Sequence, residues 1–293
     1  MKIAIIGCRG QLGTDCSNIL GNAHDLTCCD IPQIDIGDQE SVDALVKEIR
    51  PDVIINCAAY TAVDACEKET KLCQRINAEG PKHLAQAATR HNCRLIHIST
   101  DYVFDGKRLP PEGYTEKDHT NPLSEYGRTK LAGEEAVLDY AKNHVILRTA
   151  WLYSAYGNNF LKTMLRLALQ DPKRPIKVVN DQYGSLTWSH TLALQIEKLL
   201  DDKIHGIVHA TSEGHSTWFE GACYFLDAMN VPHNLQPCST AEYPTPAVRP
   251  ANSILHNSRL NHAGLSTFGG WQKEIETFVK MYGEKLLNEQ LKS

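Results

Sequence analysis

The fold class follows from the N-terminal residues Lys2-Ile3-Ala4-Ile5-Ile6-Gly7-Cys8-Arg9-Gly10-Gln11-Leu12-Gly13. Residues 2–6 form a short apolar run, as expected for a strand buried on both faces of a parallel sheet. Glycines at every third position, Gly7, Gly10 and Gly13, then lead into a helical pattern over residues 11–20. They allow a tight turn, a close phosphate approach and helix–strand packing. The helix N-terminus is therefore predicted to bind the pyrophosphate of a dinucleotide.

Strand-like and helix-like segments alternate through the first half of the chain. Further strands are predicted at residues 26–29, 52–57, 94–98 and 145–148, and further helices at residues 41–50, 81–91 and 124–142. Such alternation predicts an α/β fold, a Rossmann-type doubly wound parallel sheet with helices on both faces. Beyond residue 151 the pattern loosens and prolines interrupt it. We therefore expect a dinucleotide-binding Rossmann domain at residues 1–170 and a smaller C-terminal substrate-binding lobe at residues 171–293, interleaved with the first.

Composition agrees with a cytoplasmic enzyme. The 293 residues carry a formal net charge of −5, which gives no electrostatic reason to expect a nucleic-acid partner. No apolar stretch approaches the roughly 20 residues of a membrane helix, so we expect no membrane partner. The ten cysteines include no C-x-x-C pair, and no secretory signal is recognisable. Free thiols in a reducing compartment are the expectation.

The choice between NADH and NADPH stays open. Asp30 ends the second predicted strand, 23 residues beyond Gly7, where a carboxylate can accept both ribose hydroxyls and would repel a 2′-phosphate. Arg9, within the glycine turn, favours the phosphate instead.

Tyr126 and Lys130 are candidate catalytic residues. They lie four positions apart in a predicted helix and therefore share one face. A lysine ammonium can stabilise phenolate character, and such a tyrosine can donate a proton to a carbonyl oxygen. Thr100, helped by Ser99, ends a predicted strand, where ligands gather in open α/β sheets. It is predicted to hydrogen-bond the same carbonyl.

A long motif makes the pattern more specific: Ser99-Thr100-Asp101-Tyr102-Val103-Phe104-Asp105-Gly106. With the glycine turn and the Tyr126–Lys130 pair, it makes the chain resemble the extended short-chain dehydrogenase/reductase family, and within it the dTDP-4-dehydrorhamnose reductase family. Further blocks that carry the resemblance are Asn56-Cys57-Ala58-Ala59-Tyr60-Thr61-Ala62-Val63-Asp64, Arg148-Thr149-Ala150-Trp151-Leu152-Tyr153, Asn158-Asn159-Phe160, Asp181-Gln182-Tyr183-Gly184-Ser185 and Arg249-Pro250-Ala251-Asn252-Ser253.

This resemblance implies hydride transfer from NADPH or NADH to C4 of a dTDP-4-keto-6-deoxy sugar. Tyr126 would protonate the alkoxide, Thr100 would orient the carbonyl, and Lys130 would bind the nicotinamide ribose. The expected dinucleotide-binding residues are Gly7, Arg9, Gly10, Gln11, Leu12, Gly13, Asp30, Ala58, Ala59, Tyr60, Tyr126 and Lys130. The expected sugar-nucleotide residues are Tyr102, Trp151, Asn159 and Arg249, of which the arginine suits a diphosphate and the indole an apolar sugar face.

Other functions stay open at this point. The non-catalytic regulatory β subunit of methionine adenosyltransferase resembles the same family and binds NADP. A sugar-nucleotide epimerase or dehydratase on this fold keeps its NAD bound, but Tyr102 stands where a dehydratase has its second acid. Thr100, Tyr126 and Lys130 favour catalysis. The histidines and carboxylates suggest no metal site, although some members of the family use Mg²⁺ at a subunit contact, and a homodimer is an implication of the resemblance alone.

Overall fold

The strands and helices predicted for the first half of the chain are all present. The structure is a computed structural model and describes residues 1–291. Its strands are β1 (Lys2–Ile6), β2 (Asp25–Cys29), β3 (Val53–Asn56), β4 (Arg94–Thr100), β5 (His144–Thr149), β6 (Leu152–Tyr153), β7 (Ile176–Val179), β8 (Tyr183–Gly184), β9 (Thr187–Trp188), β10 (Gly206–His209), β11 (Ser216–Thr217) and β12 (Leu235–Cys238). Its α-helices are α1 (Gln11–Leu20), α2 (Gln39–Ile49), α3 (Val63–Cys66), α4 (Thr70–Gln74), α5 (Gly80–Arg90), α6 (Glu125–Tyr140), α7 (Phe160–Gln170), α8 (Ser189–Leu199), α9 (Trp218–Ala228), α10 (Ser258–Ala263) and α11 (Trp271–Leu291).

The central sheet has six strands in the order β10-β5-β4-β3-β1-β2, and every neighbouring pair is parallel. Helices α1 and α8 cover one face, while α2, α5 and α6 cover the other. The fold class predicted from the sequence is confirmed. Because the strand order reverses between β1 and β3, the loops that follow these strands diverge and open a crevice at their carboxyl ends.

A second hydrophobic core lies outside the sheet. Apolar side chains of α7, α9 and α11 form it, with Leu165, Phe225 and Phe278 fully buried. The chain also returns to the first core, because α8 packs on α1 and β10 joins the sheet edge beside β5. The two-domain division at residue 170 stays a prediction, and residues 292–293 of the predicted lobe lie outside the described residues.

The long C-terminal helix α11 lies along the second core. It spans 21 residues and buries Trp271, Ile275 and Phe278, while Lys273 and Glu276 on the opposite side are exposed. This is the pattern of an amphipathic helix on a globular core. None of the helices that the structure describes is long and apolar enough to cross a membrane.

Candidate active site

The glycine turn after β1 has separate requirements at each of its glycines. A Cβ on Gly7, whose φ is +79°, would lie 2.6 Å from the backbone nitrogen of Ala58, and a Cβ on Gly13 would overlap the carbonyl oxygen of Gly7. Chain packing therefore demands both glycines. A Cβ on Gly10 meets nothing nearer than 3.4 Å, and Gly10 lines the cavities on both sides of the turn. Because Gly10 has no side chain, a phosphate has room beside the backbone N–H groups that begin α1. The turn therefore fits a dinucleotide.

The cavity beyond β2 is lined by the carboxylates of Asp30 and Asp35 and by the Arg75 guanidinium, and Arg9 lies beside Asp30. Asp30 accepts hydrogen bonds from the backbone nitrogens of Arg9 (3.1 Å) and Ile31 (2.9 Å). The Arg9 side chain donates to the carbonyl oxygen of Ile31 at 3.2 Å, and Arg75 pairs with Asp35 at 2.9 Å. Asp30, which favours NADH, and Arg9, which favours NADPH, therefore lie at the same end of the site.

The wall at residues 58–60 is fixed by buried asparagines. Asn56, which ends β3, accepts a hydrogen bond from the backbone nitrogen of Ala58 at 3.1 Å. The Asn77 amide bonds both the nitrogen (2.8 Å) and the oxygen (3.0 Å) of Tyr60. Ala59 between them lines the cavities on both sides. This wall and the glycine turn face each other across the crevice.

The predicted catalytic residues line one cavity of about 470 Å³, together with Gly10. Thr100 ends β4, whereas Tyr126 and Lys130 lie one turn apart near the start of α6, which Ser124 caps by accepting a hydrogen bond from Gly127. The Lys130 ammonium donates to the carbonyl oxygen of Ile98 at 2.6 Å. The structure therefore brings the three side chains together, with the lysine held by the strand that presents Thr100.

Burial controls the protonation of these groups. It lowers the pKa of Lys130 to about 8, although the Glu134 carboxylate opposes this shift. Burial also raises the pKa of the Tyr126 hydroxyl, and while a hydrogen bond with Thr100 counteracts it, the Asp101 charge adds to it. Desolvation raises the pKa of Asp101 to about 6. Tyr126 is accordingly a neutral proton donor at physiological pH, beside a lysine that is mostly charged.

Aromatic side chains form the opposite wall. Trp151 has a φ of +47°, and its indole stacks on Trp218 with ring centroids 3.6 Å apart and planes 8° from parallel. A Cβ on Gly184 would overlap the Trp151 indole, so that glycine admits the ring. Tyr102 meets Tyr126 edge to face at 5.5 Å. Trp151 and Tyr102 both line the cavity, and their contact with a sugar stays a prediction.

Asn159 and Arg249, the other predicted sugar-nucleotide residues, already have protein partners. Asn159 caps α7 by accepting a hydrogen bond from the backbone nitrogen of Lys162 (3.1 Å), and its amide donates to Gln11 (3.1 Å). Arg249 pairs with Asp64. Asn159 lines the catalytic cavity, while Arg249 lines an adjoining cavity.

Metal-binding side chains are not clustered in the part of the chain that the structure describes. No group of three or more histidine, cysteine, aspartate or glutamate side chains there could hold a metal ion. Mg²⁺ at a subunit contact, which the resemblance implies, stays a prediction.

Comparison with known proteins gives the family. Residues 1–284 match the family model described as RmlD substrate binding domain. The chain is 37% identical to dTDP-4-dehydrorhamnose reductase of Aggregatibacter actinomycetemcomitans, over 97% of this chain and 99% of that protein. The chain belongs to the dTDP-4-dehydrorhamnose reductase family. The Escherichia coli K12 reductase is 39% identical over 95% of this chain and 97% of that protein. A crystal structure of the Bacillus anthracis reductase in complex with NADP superposes with a TM-score of 0.92 at 39% identity, covering 96% of this chain and 99% of that one.

In this member of the reductase family, sequence reasoning missed a buried ion pair beneath the catalytic residues. Glu134, one turn after Lys130, accepts hydrogen bonds from Nε (2.9 Å) and Nη2 (2.6 Å) of Arg148 on β5, and a further one from Ser99. Both charged side chains are almost fully buried, at 0% and 3% exposure. Two-point pairing makes this burial tolerable. No local signal could have revealed it, because the partners lie on different elements.

Two further aspartates were also missed as parts of the site. Asp101 accepts a hydrogen bond from the Thr100 hydroxyl at 2.9 Å and is buried. Asp64 holds Arg249. Both stand inside the motifs that carried the family resemblance, so their positions in those motifs were the available signal.

Proposed function

We propose that this protein reduces the C4 keto group of dTDP-4-dehydro-L-rhamnose to dTDP-L-rhamnose with NADPH or NADH. The observation that carries the proposal is that Thr100, Tyr126 and Lys130 line the same cavity as Gly10 and Trp151. The glycine turn lies on one side of this cavity and the aromatic wall on the other. Membership of the reductase family supports the same reaction. It also favours catalysis over a purely regulatory role.

The dinucleotide would lie along the carboxyl edge of the sheet. The backbone N–H groups that begin α1 would hold its pyrophosphate beside Gly10, with Gln11 and Leu12 at the same helix end. Asp30 and Arg9 would face the adenosine ribose, and Lys130 the nicotinamide ribose. When bound, the reduced nicotinamide supplies a hydride. Residues 58–60 would cover the opposite side of the cofactor.

Tyr126 carries the proton in this scheme. As the C4 oxygen gains negative charge, the phenol donates its proton to that oxygen, and the nearby Lys130 ammonium stabilises the resulting phenolate. Thr100 would orient the carbonyl by donating its single hydroxyl hydrogen to the C4 oxygen, which requires the hydroxyl to turn away from Asp101, its acceptor at 2.9 Å in this structure. The Trp151 and Tyr102 rings would cover the sugar and exclude water from the reacting centre.

The setting of the reaction is part of the proposal. We infer a cytoplasmic enzyme, which is supported by ten cysteines that are all free thiols. We infer a homodimer from the family resemblance, and from the composition of the chain we expect no nucleic-acid or membrane partner. Light scattering with and without Mg²⁺ would measure the oligomeric state and any contribution of the metal.

A coupled assay tests the function. The purified protein is mixed with dTDP-4-keto-6-deoxyglucose, the 3,5-epimerase that supplies the substrate, and NADPH or NADH, and the nicotinamide absorbance is followed with product identification. Epimerase-dependent oxidation that yields dTDP-L-rhamnose is the expected result, and the two rates rank the cofactors. Cofactor binding without oxidation would contradict the proposal and favour another sugar nucleotide or a regulatory role.

A further inference from the structure

Asp64 and Arg249 form a two-point ion pair beside the proposed sugar site. Nη1 of Arg249 lies 3.0 Å from Oδ1 of Asp64, and Nη2 lies 3.1 Å from Oδ2. The two residues stand 185 positions apart in the chain. Parallel N–H···O bonds fix the plane of a guanidinium as well as its position. Asp64 therefore determines which edge of Arg249 is available to a ligand.

Asp64 also holds the loop that carries Arg249. Its Oδ1 accepts a hydrogen bond from the backbone nitrogen of Ala247 at 3.2 Å. Nη1 of Arg249 in turn donates to the Thr245 hydroxyl at 2.6 Å. Residues 245–249 are thus fastened to α3, which directly follows the dinucleotide wall at residues 58–60. The same carboxylate links the substrate loop to the cofactor side of the crevice.

The pair borders a cavity suited to a nucleoside diphosphate. This cavity has a volume of about 450 Å³ and joins the catalytic cavity through Tyr102, Phe160 and Trp218, which line both. Its polar lining includes Lys177 and Gln182. Guanidinium groups have five N–H donors arranged along two usable edges. Asp64 takes the terminal edge, which leaves the lateral edge, formed by Nε and the second Nη2 hydrogen, for a diphosphate oxygen.

Both partners stay ionised. The hydrogen bond from Arg249 holds the pKa of Asp64 below its ordinary value. Burial lowers the pKa of Arg249, but the hydrogen bonds and charges of Asp64 and Tyr102 together outweigh this effect and raise the pKa overall. The side chains are partly exposed, at 41% for Asp64 and 22% for Arg249, so the pair contributes little to folding stability on its own. The role of the pair is to fix the orientation of the Arg249 guanidinium.

We propose that Asp64 is a positioning residue for sugar-nucleotide binding, because it fixes Arg249 with the lateral edge of its guanidinium toward the diphosphate. This inference rests on the proposed function, which supplies a nucleoside diphosphate as ligand. Asp64 itself touches no reacting atom. Its loss therefore raises the KM for the sugar nucleotide and leaves kcat and dinucleotide affinity nearly unchanged.

A double-mutant cycle tests the inference. The affinity for dTDP is measured by calorimetry for the wild type, Asp64→Asn, Arg249→Ala and the double variant. We expect Asp64→Asn to weaken binding about tenfold when Arg249 is present and less than about twofold when it is absent. Equal losses in both backgrounds, or tighter binding in Asp64→Asn because the carboxylate competes with the ligand, would overturn the inference.

Control variants separate positioning from general damage. Asp43→Asn breaks an ion pair with Arg90 of similar exposure on α2, away from both cavities, and should leave dTDP affinity unchanged. Asp64→Ser removes the same charge and gives the same comparison if Asp64→Asn does not fold. Because dTDP binding needs no turnover, a wild type that binds dTDP without reducing the sugar contradicts the proposed function and not this inference. Additive losses in an active enzyme contradict only the inference.

Discussion

The cavity wall that would face the dinucleotide consists of short consecutive segments, whereas the wall that would face the sugar nucleotide is assembled from distant parts of the chain. Gly7, Gly10 and Gly13 lie within one turn, and residues 58–60 directly follow one strand. On the other side, Trp151 stacks on Trp218, and Arg249 pairs with Asp64. Local sequence therefore specifies the first wall, and tertiary packing specifies the second.

Tyr126 lies where the walls meet, so its removal should have the largest effect and leave both walls intact. Tyr126→Phe keeps the ring and its edge-to-face contact with Tyr102 but removes the proton donor. We expect kcat to fall by roughly 10² to 10⁴. Steady-state kinetics measures this loss, while fluorescence titration should show dinucleotide affinity within about twofold of the wild type. Unchanged turnover would exclude Tyr126 as the donor.

Two glycines of the dinucleotide wall should respond differently to the same substitution. Gly13→Val forces a Cβ into the carbonyl oxygen of Gly7 and should destabilise the fold by about 3 kcal/mol, as measured by denaturant unfolding. Gly10 has a φ of −72° and open space around it, so Gly10→Val should fold normally and lose detectable NADPH binding. Normal cofactor binding by Gly10→Val would contradict the assignment of the pyrophosphate site.

Asp101 is buried next to Thr100, and its ionisation should make the free energy of unfolding depend on pH. Burial raises its pKa from 3.8 to about 6, so the folded state keeps a proton that the unfolded state has released between these values. The contribution of Asp101 to the free energy of unfolding therefore falls by about 3 kcal/mol as pH rises from about 4 to 6. This loss persists above about pH 6.

Asp101→Asn should remove this dependence. Thermal unfolding at pH 8 should show a higher Tm for the variant than for the wild type, whereas at pH 4 the two should converge. Equal Tm differences at both pH values would show that hydrogen bonding to Thr100, rather than ionisation, accounts for the change.

The features that could be predicted from the sequence are the local ones, and the contacts between distant residues could not be predicted. The strand–turn–helix pattern predicted the sheet, and Thr100, Tyr126 and Lys130 were predicted from spacing, since residues at strand ends and on one helix face converge in a parallel α/β fold. Nothing local indicates that Arg148 would cross from β5 to Glu134, or that Asp64 would meet a loop 185 residues away. Such pairs exist only after the chain has folded, because neither partner needs the other to form its own helix, strand or turn.

Asn159 was predicted as a sugar ligand, but in the structure its side chain caps α7 and donates to Gln11. Its substitution therefore tests whether this part of the substrate wall binds the sugar or only supports the fold. Asn159→Ala removes the cap of α7 and the bond to Gln11, and should lower stability by about 1 kcal/mol. Asn159→Asp keeps an N-cap acceptor but cannot donate to Gln11, so its stability should lie between those of the wild type and the alanine variant. Denaturant unfolding measures both, alongside the KM for the sugar nucleotide. If KM rises in both variants while stability stays at the wild-type value, Asn159 contacts substrate directly. If stability falls as expected and KM does not change, this part of the substrate wall is scaffold that joins α7 to the start of α1.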